Sequence, residues 1–215
     1  MPTPRTHRAA RVIVAISLPT LMTSLDSLVV TIALPQIHQD LNASVTELQW
    51  FVNAYTLTYA ALILPTAAAG DRIGRRRLFL WAILLFTLAS AVAALASTPS
   101  ALIAARVVQG AGGAAIGSLS LALMDAVPRR LRELAIGVWG SVNGLGVAAG
   151  PIIGGAVVED LHWSVIFWIN IPVGVLSLAL VRWSLGSAAS QASPASAGAR
   201  TDLLGLVAGT AFVFP

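Results

Sequence analysis

The sequence predicts an all-α integral membrane protein built as a six-helix bundle, and three observations carry that prediction. First, 57% of the 215 residues are hydrophobic and only 10% charged, where a soluble domain carries roughly 25% charged residues. Second, the mean hydropathy of +0.83 leaves too little polar surface to coat a globule. Third, the apolar residues fall into repeated runs of a length that suits a bilayer. The 18 Gly and 11 Pro lie among these runs, so the composition is not that of a disordered chain.

A membrane helix needs about 20 apolar residues to cross a hydrocarbon core of roughly 30 Å. Six segments meet that requirement: 12–34, 48–69, 78–97, 100–124, 134–158 and 164–184. Only Asp26, Arg106, Arg182 and Asp125 interrupt or fringe them. The first run follows a short N-terminus, 1–11, and is too long for a signal-peptide core, carries Asp26 and lacks a small-x-small cleavage site. Residues 185–202, rich in Ser, Ala and Gly and containing Pro194, read as a flexible linker. A further apolar run, 203–215, is too short to span and reads as the start of a seventh helix. The expectation is a chain severed within that helix, by fragmentation or by a truncated reading frame.

All 13 basic residues are Arg, and their positions set the orientation. Arg5, Arg8 and Arg11 precede the first span; Arg72, Arg75, Arg76 and Arg77 lie between the second and third. Arg129, Arg130 and Arg132 lie between the fourth and fifth, and Arg182 and Arg200 follow the sixth. The opposite loops, 35–47, 98–99 and 159–163, contain no Arg. Cytoplasmic loops of membrane proteins collect Lys and Arg, so the N-terminus and residues 185–202 are expected in the cytoplasm. Basic residues scattered in this way, with few aromatics between them, argue against nucleic-acid binding.

Several chemistries are poorly supplied. The absence of Cys removes disulfides, thiolate metal sites and Cys nucleophiles. His7, His38 and His162 fall in separate loops, which gives no metal cluster. The same placement leaves Ser118 and Ser120, in the fourth span, without the His that an intramembrane serine protease needs. An enzyme is not expected.

The informative residues are those that belong least in a membrane. Asp26 lies mid-span, where a charge costs about 2.5–3.5 kcal/mol on insertion scales, so such residues face the bundle interior and mark transport or proton pathways. A neutral Asp hydrogen-bonded to neighbouring helices is the bland alternative. Arg106 enters the fourth span from the Arg-free side, so snorkelling to that interface breaks the charge pattern; an interior position paired with a carboxylate or with carbonyls is expected. In the fifth span, Gly140/Gly144, Gly146/Gly150 and Gly150/Gly154 have the four-residue spacing that lets helix backbones approach. Pro151 removes a backbone donor among them, and a bend is expected there.

These residues fall into motifs that resemble the N-terminal half of a major facilitator superfamily transporter, most like the fourteen-span drug:proton antiporter group. Leu25-Asp26 followed by Ala33-Leu34-Pro35 is similar to that group's span-one motif. Gly70-Asp71-Arg72-Ile73-Gly74-Arg75-Arg76-Arg77 resembles the superfamily's cytoplasmic signature, with Trp50, Tyr55 and Pro65 upstream. Arg106, Gln109, Gly110, Gly112, Gly113 and Ala114 resemble the proton-coupling motif of the fourth span. Gly146, Gly150, Pro151, Gly154 and Gly155 resemble the antiporter motif, and Phe167-Trp168-Ile169-Asn170-Ile171-Pro172 is similar to the group's sixth span. Four motifs in register over nearly the whole chain make the resemblance specific. The chain departs from it at Ala67 and Ala69, where the signature carries Gly and Leu, and at Ser164 and Val165, where an Arg and a Trp are usual.

The resemblance implies two inverted three-helix repeats, with substrate bound near the midplane between two six-helix halves. It implies export of drugs or other small amphipathic molecules across the plasma membrane, driven by protons and needing no cofactor. Asp26 is then a protonation site, and Arg106 biases that carboxyl or a neighbouring one. Asp71, Arg72 and Arg75, with Gly70, Gly74 and Arg76 around them, form a cytoplasmic gate. Asp26, Tyr55 and Gln109 are candidates to line the substrate cavity. The partners implied are the lipid bilayer, a small-molecule substrate, protons, and a missing C-terminal half or a second copy. A non-transporting fragment or a membrane interaction subunit is the competing expectation.

Overall fold

A computed structural model describes residues 4–185. The expected seventh-span start and the linker from residue 186 onward lie outside the described residues. Regular structure among those residues is helical throughout: α1 Pro4–Leu41, α2 Val45–Ile73, α3 Arg75–Ala94, α4 Pro99–Leu123, α5 Arg129–Asp160, α6 Val165–Trp168 and α7 Asn170–Ser184. A short 3₁₀ turn, Met124–Ala126, follows α4. Six helical stretches are long and apolar enough to cross a membrane, the sixth being α6 and α7 together, Val165–Ser184.

Local chemistry fixes where these helices begin and turn. Ser44 and Glu47 form a capping box at the start of α2: Ser44 N–H donates to Glu47 Oε2 at 2.7 Å and Glu47 N–H to Ser44 Oγ at 3.3 Å. Thr98 caps α4 through Ala101 N–H at 3.3 Å, ahead of Pro99 in the first helical turn. Between α2 and α3 the expected loop shrinks to Gly74, whose φ of 102° suits a residue without a Cβ. Gly70 to Ile73 therefore belong to α2, and Arg75 to Arg77 open α3. Pro19, Pro35, Pro65 and Pro151 all lie inside helices, and α5 continues through Pro151 to Asp160. Membrane helices tolerate such prolines where neighbouring groups satisfy the freed backbone.

The packing follows an internal two-fold. α1 packs chiefly against α5 and α7, and α4 packs chiefly against α2 and α3. Exchanging the first three spans with the last three converts one set of contacts into the other, as two inverted repeats require. α1 and α4 form the centre: 61% of the most apolar stretch of each is buried, against 17% in α2 and 22% in α5.

Two apolar cores result. One, towards the arginine-rich end, gathers Ile16, Phe79, Ile83, Phe86, Leu119 and Val181. The other, towards the opposite end, gathers Val30, Ile37, Phe51, Leu102, Trp163 and Phe167. Along α1, α3, α4 and α7 the sequence between these cores supplies the buried polar residues Asp26, Ser90, Arg106, Gln109 and Asn170. A polar layer thus divides the bundle at mid-height.

Candidate functional site

The polar layer is a closed network around one carboxylate. Arg106 Nη1 donates to Asp26 Oδ2 at 2.5 Å and to Gln109 Oε1 at 3.0 Å, while Arg106 Nε donates to Phe51 O at 3.0 Å. Gln109 Nε2 donates to Asp26 Oδ1 at 3.2 Å and to Ser90 Oγ at 2.8 Å. Asn170 Nδ2 makes the same two contacts, at 2.8 Å and 3.2 Å. Ser90 donates its own proton to Phe86 O at 2.9 Å. The Arg106 guanidinium also lies over the Tyr55 ring, 4.3 Å from its centroid, where the ring face attracts a cation.

Burial makes this arrangement consequential. The side chains of Asp26 and Arg106 are each 1% exposed, so the pair is shielded from water and its attraction is strong. The expectation that Arg106 faces inward, paired with a carboxylate and a carbonyl, matches its position. Asp26, Tyr55 and Gln109, the candidates to line a substrate cavity, are all buried in this conformation, and of the three only Asp26 lines a cleft.

Glycines let the helices come close enough to build the layer. On α4, a Cβ at Gly110 meets Tyr55 O at 2.5 Å and one at Gly113 meets Tyr55 Oη at 2.8 Å. Gly112 faces α3, where a Cβ comes within 3.1 Å of Ala82 O. On α5, Gly146, Gly150 and Gly154 lie against α1, where added Cβ atoms meet Ser24, Leu28 and Ile32 at 2.9, 3.0 and 3.1 Å. Gly137, Gly140, Gly144 and Gly155 face open space in this bundle. The expected Gly140/Gly144 packing pair is therefore not a contact here, because Gly144 and Gly146 are about 200° apart around the helix. Ser24 Oγ also donates to Asn143 Oδ1, a polar tie between α1 and α5.

A second cluster sits at the arginine-rich end. Arg75 Nε donates to Asp71 Oδ1 at 2.8 Å, and Arg75 Nη1 to Asp125 Oδ2 at 3.0 Å and to Ala122 O at 3.1 Å. Arg132 reaches the other oxygen of Asp125 at 3.3 Å, and Arg76 donates to Arg182 O at 3.3 Å. Gly70 brings α2 against Leu119 of α4, so the close approach survives the Ala residues at 67 and 69. At the opposite end, Trp163 is buried and packs edge-on against Phe167 at 6.1 Å. There His162 Nε2 meets Asp40 Oδ2 at 2.9 Å, close to the position where the resemblance leads one to expect an Arg.

Residues 16–213 match the Major Facilitator Superfamily as a family. The chain belongs to the major facilitator superfamily. It is a membrane-spanning member of a transporter family and not an enzyme. Among similar curated proteins, the tetracenomycin C resistance and export protein of Streptomyces glaucescens is 37% identical over 185 residues, 86% of this chain and 34% of that protein. The multidrug efflux pump LfrA of Mycolicibacterium smegmatis is 38% identical over 174 residues, 80% of this chain and 34% of that protein. The chain thus spans about a third of the length of these relatives. Its fold resembles the crystal structure of the peptide transporter POT, with a TM-score of 0.70 at 11% identity, over 84% of this chain and 41% of that one.

Within this superfamily member the sequence marks Asp26 and Arg106 and passes over several of their partners. Ser90 and Asn170 are uncharged, and neither lowers the hydropathy of its span enough to stand out. Asp125 and Asn143 are missed as partners for a different reason: nothing in sequence spacing brings them to Arg75 and Ser24.

Proposed function

We infer that the chain forms the N-terminal half of a secondary transporter that exports drugs or other small amphipathic molecules in exchange for protons. The observation that carries this reading is the buried Asp26–Arg106 pair, held at 2.5 Å in the middle of the bundle. A carboxyl there takes a proton against the pull of the guanidinium on its charged form, which ties protonation to the packing of the helices around Asp26. One charge crossing 100 mV is worth about 2.3 kcal/mol, enough to drive a change between packings of similar energy. No cofactor enters this scheme; the proton gradient supplies the work.

Roles for the remaining residues follow. Arg106 competes with the proton for Asp26, and Tyr55 and Gln109 join Asp26 in lining the substrate cavity when the bundle opens. Asp71, Arg72, Arg75 and Arg76, flanked by Gly70 and Gly74, form a gate at the arginine-rich end, which is cytoplasmic together with the N-terminus. Gly146, Gly150 and Gly154, around Pro151, allow α5 to slide on α1. The membrane is the plasma membrane. A second six-helix half, or a second copy, packs on the little-buried faces of α2 and α5. The names of the relatives, resistance and efflux proteins, support export over uptake.

The test is Asp26→Asn in a full-length transporter carrying this half. Efflux of a cationic dye driven by a pH gradient is expected to be lost while the protein still reaches the membrane. Dye efflux that keeps its dependence on the gradient removes Asp26 from coupling. Vesicles holding the 215-residue chain alone are expected to show no uptake, and measured uptake assigns the second half to another copy.

A further inference from the structure

The hydrogen bonds around Asp26 differ in kind at its two oxygens. Oδ2 is held by a guanidinium at 2.5 Å. Oδ1 is held by two neutral amides, Asn170 at 2.8 Å and Gln109 at 3.2 Å. The orientation of both amides is fixed by Ser90. Its hydroxyl proton goes to Phe86 O, so its lone pairs must receive N–H groups, and both neighbours present them. Every partner of the carboxyl is therefore a donor, and the network is complete for a carboxylate only.

A proton arriving from water at Oδ1 converts that acceptor into a donor facing two N–H groups. Oδ2 stays a carbonyl oxygen and can keep its bond to Arg106. Of the two amides, Gln109 is tied to the same helix as Arg106 through Gln109 Oε1. Asn170 makes no such bond to the guanidinium and lines a cleft of about 70 Å³ with Asp26, Leu18, Leu25, Ile153 and Val173. That cleft gives its side chain room to leave.

We propose that Asn170 is a positioning residue that fastens α7 to α1 only while Asp26 is unprotonated, the proton being taken at Oδ1 in place of the Asn170 N–H. The step balances simply: a carboxylate and one proton from the aqueous phase give a carboxyl, one N–H···O bond is lost, and Arg106 is left facing a neutral group. The charged or titratable side chains facing Asp26 among the described residues are Arg106 from α4 and Tyr55 from α2, behind the guanidinium. α3 and α7 present Ser90 and Asn170, and α5 and α6 present the apolar Ile153 and Ile166. Among the described residues no other acid faces this place to take the proton.

The inference rests on Asp26 as the protonation site, and its experiment needs no transport. The chain contains no Cys, so spin labels at Val14→Cys on α1 and Val175→Cys on α7, both exposed positions, report the distance between these helices in detergent or nanodiscs. The native sequence is expected to give a narrow distribution at high pH that lengthens and broadens as the pH falls. Asp26→Asn and Asn170→Ala are each expected to give the broad distribution at every pH. The exchange Asp26→Asn with Asn170→Asp restores an amide–carboxylate contact between the helices and is expected to restore the narrow distribution at high pH. A native distribution unchanged by pH overturns the proposal, and so does an Asn170→Ala chain that still switches as the native one does. If the distances switch while the full-length transporter exports without a proton gradient, the proposed export mechanism fails and the role of Asn170 stands.

Discussion

Asp26 of α1 and Arg106 of α4, 80 residues apart in sequence, meet at 2.5 Å where the two central helices cross the polar layer. The pair joins the first helix of one repeat to the first helix of the other. Two opposed charges buried together are tolerated because each neutralises the other, and removing one partner leaves an uncompensated charge. Such a loss typically costs about 3–5 kcal/mol. Arg106→Gln is accordingly expected to destabilise the chain by about that amount in a detergent unfolding titration. Adding Asp26→Asn to it should recover most of the loss, since both charges are then gone. An Arg106→Gln chain as stable as the native one removes the pair from the framework of the bundle.

The parts of this site legible in the sequence are those that violate a rule. Six apolar runs, one mid-membrane acid and one arginine on the wrong side of the charge pattern all stand out against the cost of burying polarity in lipid. The fold class follows from them, and so does an inward-facing Arg106 paired with a carboxylate or with carbonyls; that the carboxylate is Asp26 is read from the folded bundle. Ser90 and Asn170 violate nothing, because a single hydroxyl or amide is an ordinary member of a membrane helix; only the folded bundle brings them to Oδ1. The glycines show the same limit. Spacing marks Gly140, Gly144, Gly146 and Gly150 alike, but which of them meets a neighbour depends on how α5 is rotated against α1.

That rotation yields a second prediction. A methyl group at Gly110 has the Tyr55 backbone oxygen 2.5 Å away, and backbone does not move aside as a side chain can. Gly110→Ala should cost about 1–3 kcal/mol, as overpacking of a close contact does. Gly146→Ala meets Ser24 Cβ and Leu21 and falls in the same class. Gly140→Ala and Gly144→Ala meet nothing within 4 Å, and in this chain they should be neutral or gain up to about 1 kcal/mol from helix propensity. Unfolding titrations of the four variants side by side give the comparison; equal losses at all four contradict the observed helix faces.

The cluster at the arginine-rich end behaves differently because it is wet. Arg75 is 32% exposed and Asp125 64%, so their ion pair is screened. Pairs of this kind contribute about 0–1 kcal/mol. Asp125→Asn is expected to leave unfolding within about 1 kcal/mol of native, and a double-mutant cycle with Arg75→Ala should give a coupling no larger than that. In a full-length transporter the same substitution is expected to slow export, because the bridge from Arg75 to Asp125 ties α3 to the end of α4 in the proposed gate. Unimpaired export by Asp125→Asn takes Asp125 out of the gate, whatever its contribution to stability.

The orientation drawn from the arginines can be read directly. Because the native sequence has no Cys, a single introduced cysteine is the only site for a membrane-impermeant thiol reagent. Thr98 lies between α3 and α4, at the end opposite the arginines, and Ser190 lies in the segment expected to be a cytoplasmic linker. In intact cells, Thr98→Cys should be labelled and Ser190→Cys protected. Inverted vesicles should show the reverse. The charge rule predicts this pattern because moving the Arg72–Arg77 and Arg129–Arg132 clusters outward opposes the bias that sets topology. Labelling of Ser190→Cys in intact cells reverses the orientation and places the Arg75–Asp125 cluster, and any gate built on it, on the outer face.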